Sequence, residues 1–157
     1  MARSGQMLAV GDRAVEFEIR DLNGGRKSLK DLLGTGPALI AFFKVSCPVC
    51  QFTFPFLERL HRAKVNVFGI SQDDASSTRD FNEEFGISFP VLLDERGYPA
   101  SNGFGITHVP SLFLVEPDSV VSWVLEGFSK QEFERVGSRL GAAPFKPGEN
   151  VPEWKAG

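Results

Sequence analysis

The stretch AFFKVSCPVC, Ala41 to Cys50, holds both cysteines of a 157-residue chain, two residues apart and directly behind an apolar run. Two thiols at that spacing can shuttle between dithiol and disulfide, clip a soft metal ion, or sit inert as small buried hydrophobes. Their position favours the first. Pro48 suits the first position of a helix, so Cys47 falls just before a helix N-terminus, among unsatisfied N–H groups and the positive end of the peptide dipoles. That setting favours the thiolate, the nucleophilic form of cysteine. Cys50 lies one turn further along the same helix, close enough to attack a mixed disulfide on Cys47 and release product. A closed zinc site wants four ligands, and only His61 and His108 remain as soft partners. His61 lies toward the far end of the helix. His108 is a loop residue that could line the site. Lys44 either biases the field at Cys47 toward thiolate or faces solvent from a strand end.

The elements around these residues set where they sit. PALIAFF is a continuous apolar run of strand length, the pattern of a central strand covered on both faces. From Pro48 to Arg62, Phe52, Phe56 and Leu60 recur every four residues beside Leu57, which predicts an amphipathic helix. The cysteines therefore occupy a strand-to-helix turn. Upstream, the alternation of Val15, Phe17 and Ile19, the turn signal Asn23-Gly24-Gly25 and the return RKSL predict a β-hairpin. Ser28 with Asp31 then predicts a short capped turn of helix.

Downstream, VNVFGIS reads as a second buried strand, and SSTRDFNEEFG as a helix capped by serine and stopped at Gly86. FPVLL reads as a short strand, RGYPASNGFG as an irregular or briefly helical connection, and SLFLV with VVSWVL as strands paired across EPDS. Ser129 with Glu132 opens a last helix, which Gly141 closes. This order predicts an α/β layer structure with a mixed sheet. Residues 1–141 read as one domain. Residues 142–157 carry three prolines and no periodicity, and read as an extended tail pinned by Trp154.

Composition excludes several partners. With 42% hydrophobic residues, 24% charged residues and 15 Phe, the chain can build an aromatic core without cross-links. A net charge of −3, spread in short mixed groups, offers no basic stripe to nucleic acid and no polybasic patch to a membrane. No apolar run has membrane-spanning length, so no membrane insertion is expected. The N-terminal MARSGQMLAVGDRAVEF lacks the apolar segment of a signal peptide. As given, the chain reads as cytoplasmic, or extracytoplasmic if a signal segment has been removed.

In this context the chain resembles the thioredoxin superfamily. Within it, the likeness is to the AhpC/TSA-redoxin branch, which holds TlpA-like thiol-disulfide oxidoreductases and their peroxiredoxin cousins. The resemblance runs from about Met7 to Leu140. It rests on AFFKVSCPVC leading into a helix, on Pro55 inside that helix, and on HVPSLFLVEPD, which is similar to the family's cis-proline segment. The N-terminal hairpin and the stretch FNEEFGISFPVLLDERGYPASNGFGI resemble redoxin elaborations.

The resemblance implies a thioredoxin-like three-layer α/β fold: a mixed central β-sheet flanked by helices, with an N-terminal β-hairpin and a central redoxin-type insertion. It implies a thiol-disulfide oxidoreductase acting on protein disulfides or dithiols, with Cys47 and Cys50 as the couple. Pro110, preceded by a cis bond from Val109, would shape a substrate groove lined by Val45, Val49 and Val109. No cofactor or metal is expected, because the two thiols carry the electrons. The partners would be protein substrates and an electron donor or acceptor, and the protein would act as a monomer.

Two rivals share the fold. Copper-delivery proteins typically separate their cysteines by three residues rather than two. Peroxiredoxins carry proline and Thr or Ser at seven and three positions before the peroxidatic cysteine, where Cys47 has Ile40 and Lys44 and Cys50 has Phe43 and Cys47. The chain also departs from the oxidoreductase pattern. Thioredoxins place a buried acid where this chain has Ala41, and TlpA-like proteins often place Glu where it has Thr53. The proton acceptor for Cys50 is thus open, with Glu16, Glu18 and Glu58 as acids that only the fold could bring near.

Overall fold

The computed structural model describes residues 6–157; the first residues of the N-terminal stretch, 1–5, lie outside it. The apolar run becomes β3 (Ala38–Phe43), with all six residues buried. Leu39, Ala41 and Phe43 enter one core cluster, while Ala38, Ile40 and Phe42 enter a second. Side chains alternate across a strand, so covering both sheet faces removes the polar alternation from the sequence.

Strand β3 pairs in parallel with β4 (Val67–Ser71), and β4 in parallel with β5 (Val91–Leu93). On its other side β3 pairs antiparallel with β6 (Ser111–Val115), which turns back into β7 (Val121–Glu126). The hairpin of β1 (Glu18–Asp21) and β2 (Arg26–Ser28) joins the far edge through β5. The result is a seven-stranded mixed sheet of order β2-β1-β5-β4-β3-β6-β7. The hairpin is shorter than its alternation suggested, because Val15 lies outside the strand and is 47% exposed.

Helices cover both faces. The first core cluster takes residues from α2 (Pro48–Arg62), α3 (Ala75–Phe85) and α5 (Lys130–Arg139). The second takes Leu29 and Leu32 of α1 (Leu29–Leu32) and Ala100 and Phe104 of α4 (Pro99–Phe104). This is the expected three-layer α/β arrangement. Ser28 and Asp31 form the full reciprocal capping box of α1. Ser129 caps α5 by accepting from the Glu132 N–H, but the Glu132 carboxylate accepts from Trp123 Nε1.

Two further expectations change. Asp74, not a serine, caps α3, its carboxylate accepting the Ser77 N–H at 2.7 Å. A carboxylate two residues before Ser76 wins because it also faces the positive helix end. The tail is held, but not by Trp154, which is 66% exposed. Val151 is buried, Phe145 packs with Phe56, Phe128 and Phe133, and Glu149 binds the Arg59 guanidinium through both oxygens. Past these anchors β9 (Trp154–Lys155) pairs antiparallel with β8 (Phe128–Ser129). Among the described residues, no helix is long and apolar enough to cross a membrane.

Candidate active site

Strand β3 ends at Phe43 and delivers a three-residue loop to Cys47, the N-cap of α2, with Pro48 in the first turn. The loop is held from several sides. Lys44 C=O accepts the Cys47 N–H at 3.2 Å, Gln51 Nε2 donates to Val45 C=O at 2.9 Å, and the Val45 N–H donates to Asp73 Oδ2 at 2.8 Å. Cys47 is half-buried, and its sulfur accepts the Cys50 N–H at 3.2 Å. One orphan amide of the helix therefore has the Cys47 sulfur as its partner. Cys50 is wholly buried in the same core cluster as Ala41, Phe43 and Phe54.

The loop before β6 lies beside this turn, because β6 runs antiparallel to β3 and Phe42 is paired with Ser111. The Val109–Pro110 bond is cis, and Cys47 Sγ donates to Val109 C=O at 3.6 Å. Pro110 C=O accepts the Gly127 N–H at 2.8 Å, and Ser111 Oγ donates to His108 C=O at 2.7 Å, tying the loop to its own strand pair. Val45, Val49 and Val109 are half-buried and pack against the same core cluster as Cys47. The structure thus brings Cys47, Cys50, Val109 and Pro110 together, with apolar side chains around them.

The other candidate residues sit differently. Lys44 is exposed, and it is its backbone that engages the cysteines. The His108 ring is mostly solvent-facing, 3.0 Å from Thr107 Oγ1 and 3.7 Å from a Glu126 oxygen. His61 lies near the C-terminal end of α2, its ring against Phe89. Among the described residues, no three or more His, Cys, Asp or Glu side chains gather as a metal site would need.

None of the three acids noted in the sequence turns to the cysteines. Glu16 accepts the Lys30 N–H, Glu18 pairs with Arg26, and Glu58 binds Ser88, the Phe89 N–H and Arg62. Burial alone would raise the Glu58 pKa, but the Ser88 and Arg62 bonds outweigh it and hold the carboxyl below its ordinary value. Ala41 and Thr53, at the family's acid positions, are both fully buried, and Thr53 Oγ1 has no hydrogen-bond partner among the described residues.

The acid that does reach the site is Asp73, which sequence reading missed. It follows β4, its own N–H bonds Ser71 Oγ at 3.0 Å, and that hydroxyl lies 2.7 Å from Thr78 Oγ1. In the sequence it is one of two adjacent aspartates. Nothing local says that Asp74 caps a helix while Asp73 reaches back to Val45. Burial pushes the Cys50 thiol far up; a hydrogen bond to the Cys47 sulfur, the Cys47 charge and the Asp73 charge push the same way, against the Lys44 N–H. Cys50 is held as a thiol while Cys47 faces the opening.

Residues 10–124 match the AhpC/TSA family. The chain belongs to that family. A relative within reach is the thiol-disulfide oxidoreductase ResA of Bacillus thuringiensis (strain Al Hakam), 26% identical over 135 residues that cover 82% of this chain and 77% of the relative. The thioredoxin domain of a thiol-disulfide oxidoreductase from Bacteroides vulgatus superposes with a TM-score of 0.75 at 21% identity, covering 85% of this chain and 99% of that one. Peroxidoxin BcpB from Mycobacterium tuberculosis reaches 0.70 at 24% identity, with 87% and 96% covered. The fold is therefore common to both branches, and the residues at the thiols must decide between them. Ile40 is buried in the second core cluster and Lys44 is exposed, so neither supplies the proline or hydroxyl of a peroxidatic site. This redoxin is a thiol-disulfide oxidoreductase.

Proposed function

We propose that this redoxin exchanges disulfides with protein substrates, Cys47 attacking and Cys50 resolving. The observation that carries the reading is the asymmetry of the pair. Cys47 is half-exposed at the start of α2, with the Cys50 N–H donated to its sulfur, and Cys50 is buried behind it. In the reducing direction, Cys47 thiolate attacks a substrate disulfide; that S–S bond breaks, one substrate sulfur leaves as thiolate, and the other is held in a mixed disulfide. Cys50, once deprotonated, attacks Cys47 Sγ. The second substrate sulfur leaves and the Cys47–Cys50 disulfide forms, so two electrons have passed to substrate. A dithiol donor returns them. The oxidising direction is the same sequence reversed, and the couple's potential against its surroundings sets which one runs.

Substrate pairs along the backbone at Val109, between the apolar side chains of Val45 and Val49, which suits an extended polypeptide better than a small polar thiol. The remaining partner is the electron donor or acceptor; no nucleic acid and no membrane insertion enter this reading, in which the chain acts as a monomer. Trapping with a disulfide-bonded polypeptide tests the roles. Cys50→Ser accumulates a mixed disulfide on non-reducing gels, and Cys47→Ser forms none. The opposite pattern would reverse the assignment.

A further inference from the structure

The tail ends against the very carbonyl that faces the reactive sulfur. A Cβ built on Gly157 would fall 2.7 Å from Val109 O and 3.2 Å from its carbonyl carbon, so only a hydrogen fits there. From the opposite wall, a Cβ on Gly127 would fall 2.6 Å from Lys155 O and 2.9 Å from Gly157 N. Two glycines therefore let backbone lie on backbone. Val109 O is also the acceptor of the Cys47 Sγ bond at 3.6 Å. One oxygen touches both the tail and the nucleophile.

We propose that Trp154–Gly157 is an intramolecular strap lying in the substrate groove, in the place where an incoming polypeptide would run beside Val109, and that a protein substrate must displace it. The inference rests on the disulfide-exchange reading above. The anchorage is graded in a way that fits. Residues up to Val151 are fixed by the Phe145 ring cluster, the buried Val151 and the two-oxygen Arg59–Glu149 contact. Beyond them the strap is held by a two-residue ladder, a Lys130 N–H to Glu153 C=O bond of 2.9 Å and Lys155 Nζ lying 5.1 Å from the Phe52 ring centre. Trp154 buries little of itself. On the tail side of this two-residue ladder Trp154 is exposed and Lys155 half-buried, so the strap opens without removing a side chain from the core. Cys47 itself stays half-exposed, so the strap obstructs a polypeptide more than a small reagent. A groove open only part of the time weakens apparent substrate affinity by the open fraction, and substrates that pair well are selected.

The test compares the full chain with a variant lacking Trp154–Gly157 and with Gly157→Ala, whose added Cβ cannot sit on the Val109 carbonyl. KM for reduction of insulin, a disulfide-bonded polypeptide, falls about three-fold or more in both variants, while Cys47 alkylation by iodoacetamide changes by less than about two-fold. A KM that is unchanged or higher without the strap overturns the proposal. A second readout needs no turnover: a synthetic Pro152–Gly157 peptide, followed by its tryptophan anisotropy, binds the shortened chain and is released by insulin B chain. Absence of binding also overturns it. If instead disulfide exchange were the wrong reading, neither full nor shortened chain would reduce insulin, yet the peptide would still bind.

Discussion

Cys47 and Cys50 are the same residue type driven apart by surroundings one helical turn long. Burial first, and then the hydrogen bond to the Cys47 sulfur, keep the Cys50 proton on. The resolving step therefore speeds up with pH through the neutral and alkaline range, with no plateau near the ordinary thiol value. Quenched-flow release of product from a preformed mixed disulfide measures it. Asp73 offers two substitutions that separate its roles. Asp73→Asn keeps an oxygen for the Val45 N–H but removes a charge that raises the Cys50 pKa, so the resolving profile moves to lower pH. Asp73→Ala also strands the Val45 N–H and costs about 1–2 kcal/mol in denaturant titration. Slower resolution by Asp73→Asn at every pH would instead make Asp73 the acceptor of the Cys50 proton. With Ile40 and Lys44 where a peroxidase holds its proline and hydroxyl, stopped-flow oxidation of Cys47 by hydrogen peroxide runs at the rate of an ordinary thiolate.

Among the elements, the tail shows how charge and packing share one task. The Arg59 hydrogen bonds, followed by the Lys146 N–H, lower the Glu149 pKa from 4.5 to about 2. A depressed carboxyl stabilises the fold fully above its unfolded value of 4.5 and loses that contribution as pH falls through about 2. In that acid window the tail loosens before the sheet does, and Glu149→Gln shows the loosening already at neutral pH. Hydrogen exchange of the amides of residues 146–155, set against those of β3, reads the difference. Helix α3 offers a simpler case: Asp74→Ala removes its side-chain N-cap and lowers stability by about 1 kcal/mol.

In the whole molecule, the site is held by an aromatic cluster that joins parts far apart in the chain. Phe128 is fully buried and meets Phe52 and Phe56 of the cysteine helix, Phe133 of α5 and Phe145 of the tail. Phe128→Ala costs about 3–5 kcal/mol in a denaturant titration, because the cavity cannot close without moving all four neighbours. The same cluster explains what could be read in advance. The bounds of α2, the two-faced burial of β3 and the caps of α1 and α5 follow from periodicity and from hydrogen bonds that reach three or four residues, so the sequence alone determined them. The placement of two thiols at a helix start was legible for the same reason. Contacts set by sheet register and face-to-face packing have no local signature. Asp73 reaches Val45 across 28 positions, the Val109 carbonyl reaches Cys47 across 62, and Gly157 closes on that same carbonyl from the end of a segment that carries no periodicity. Those distances depend on how β3, β4 and β6 lie side by side and on where the tail packs, so only the tertiary structure decided them.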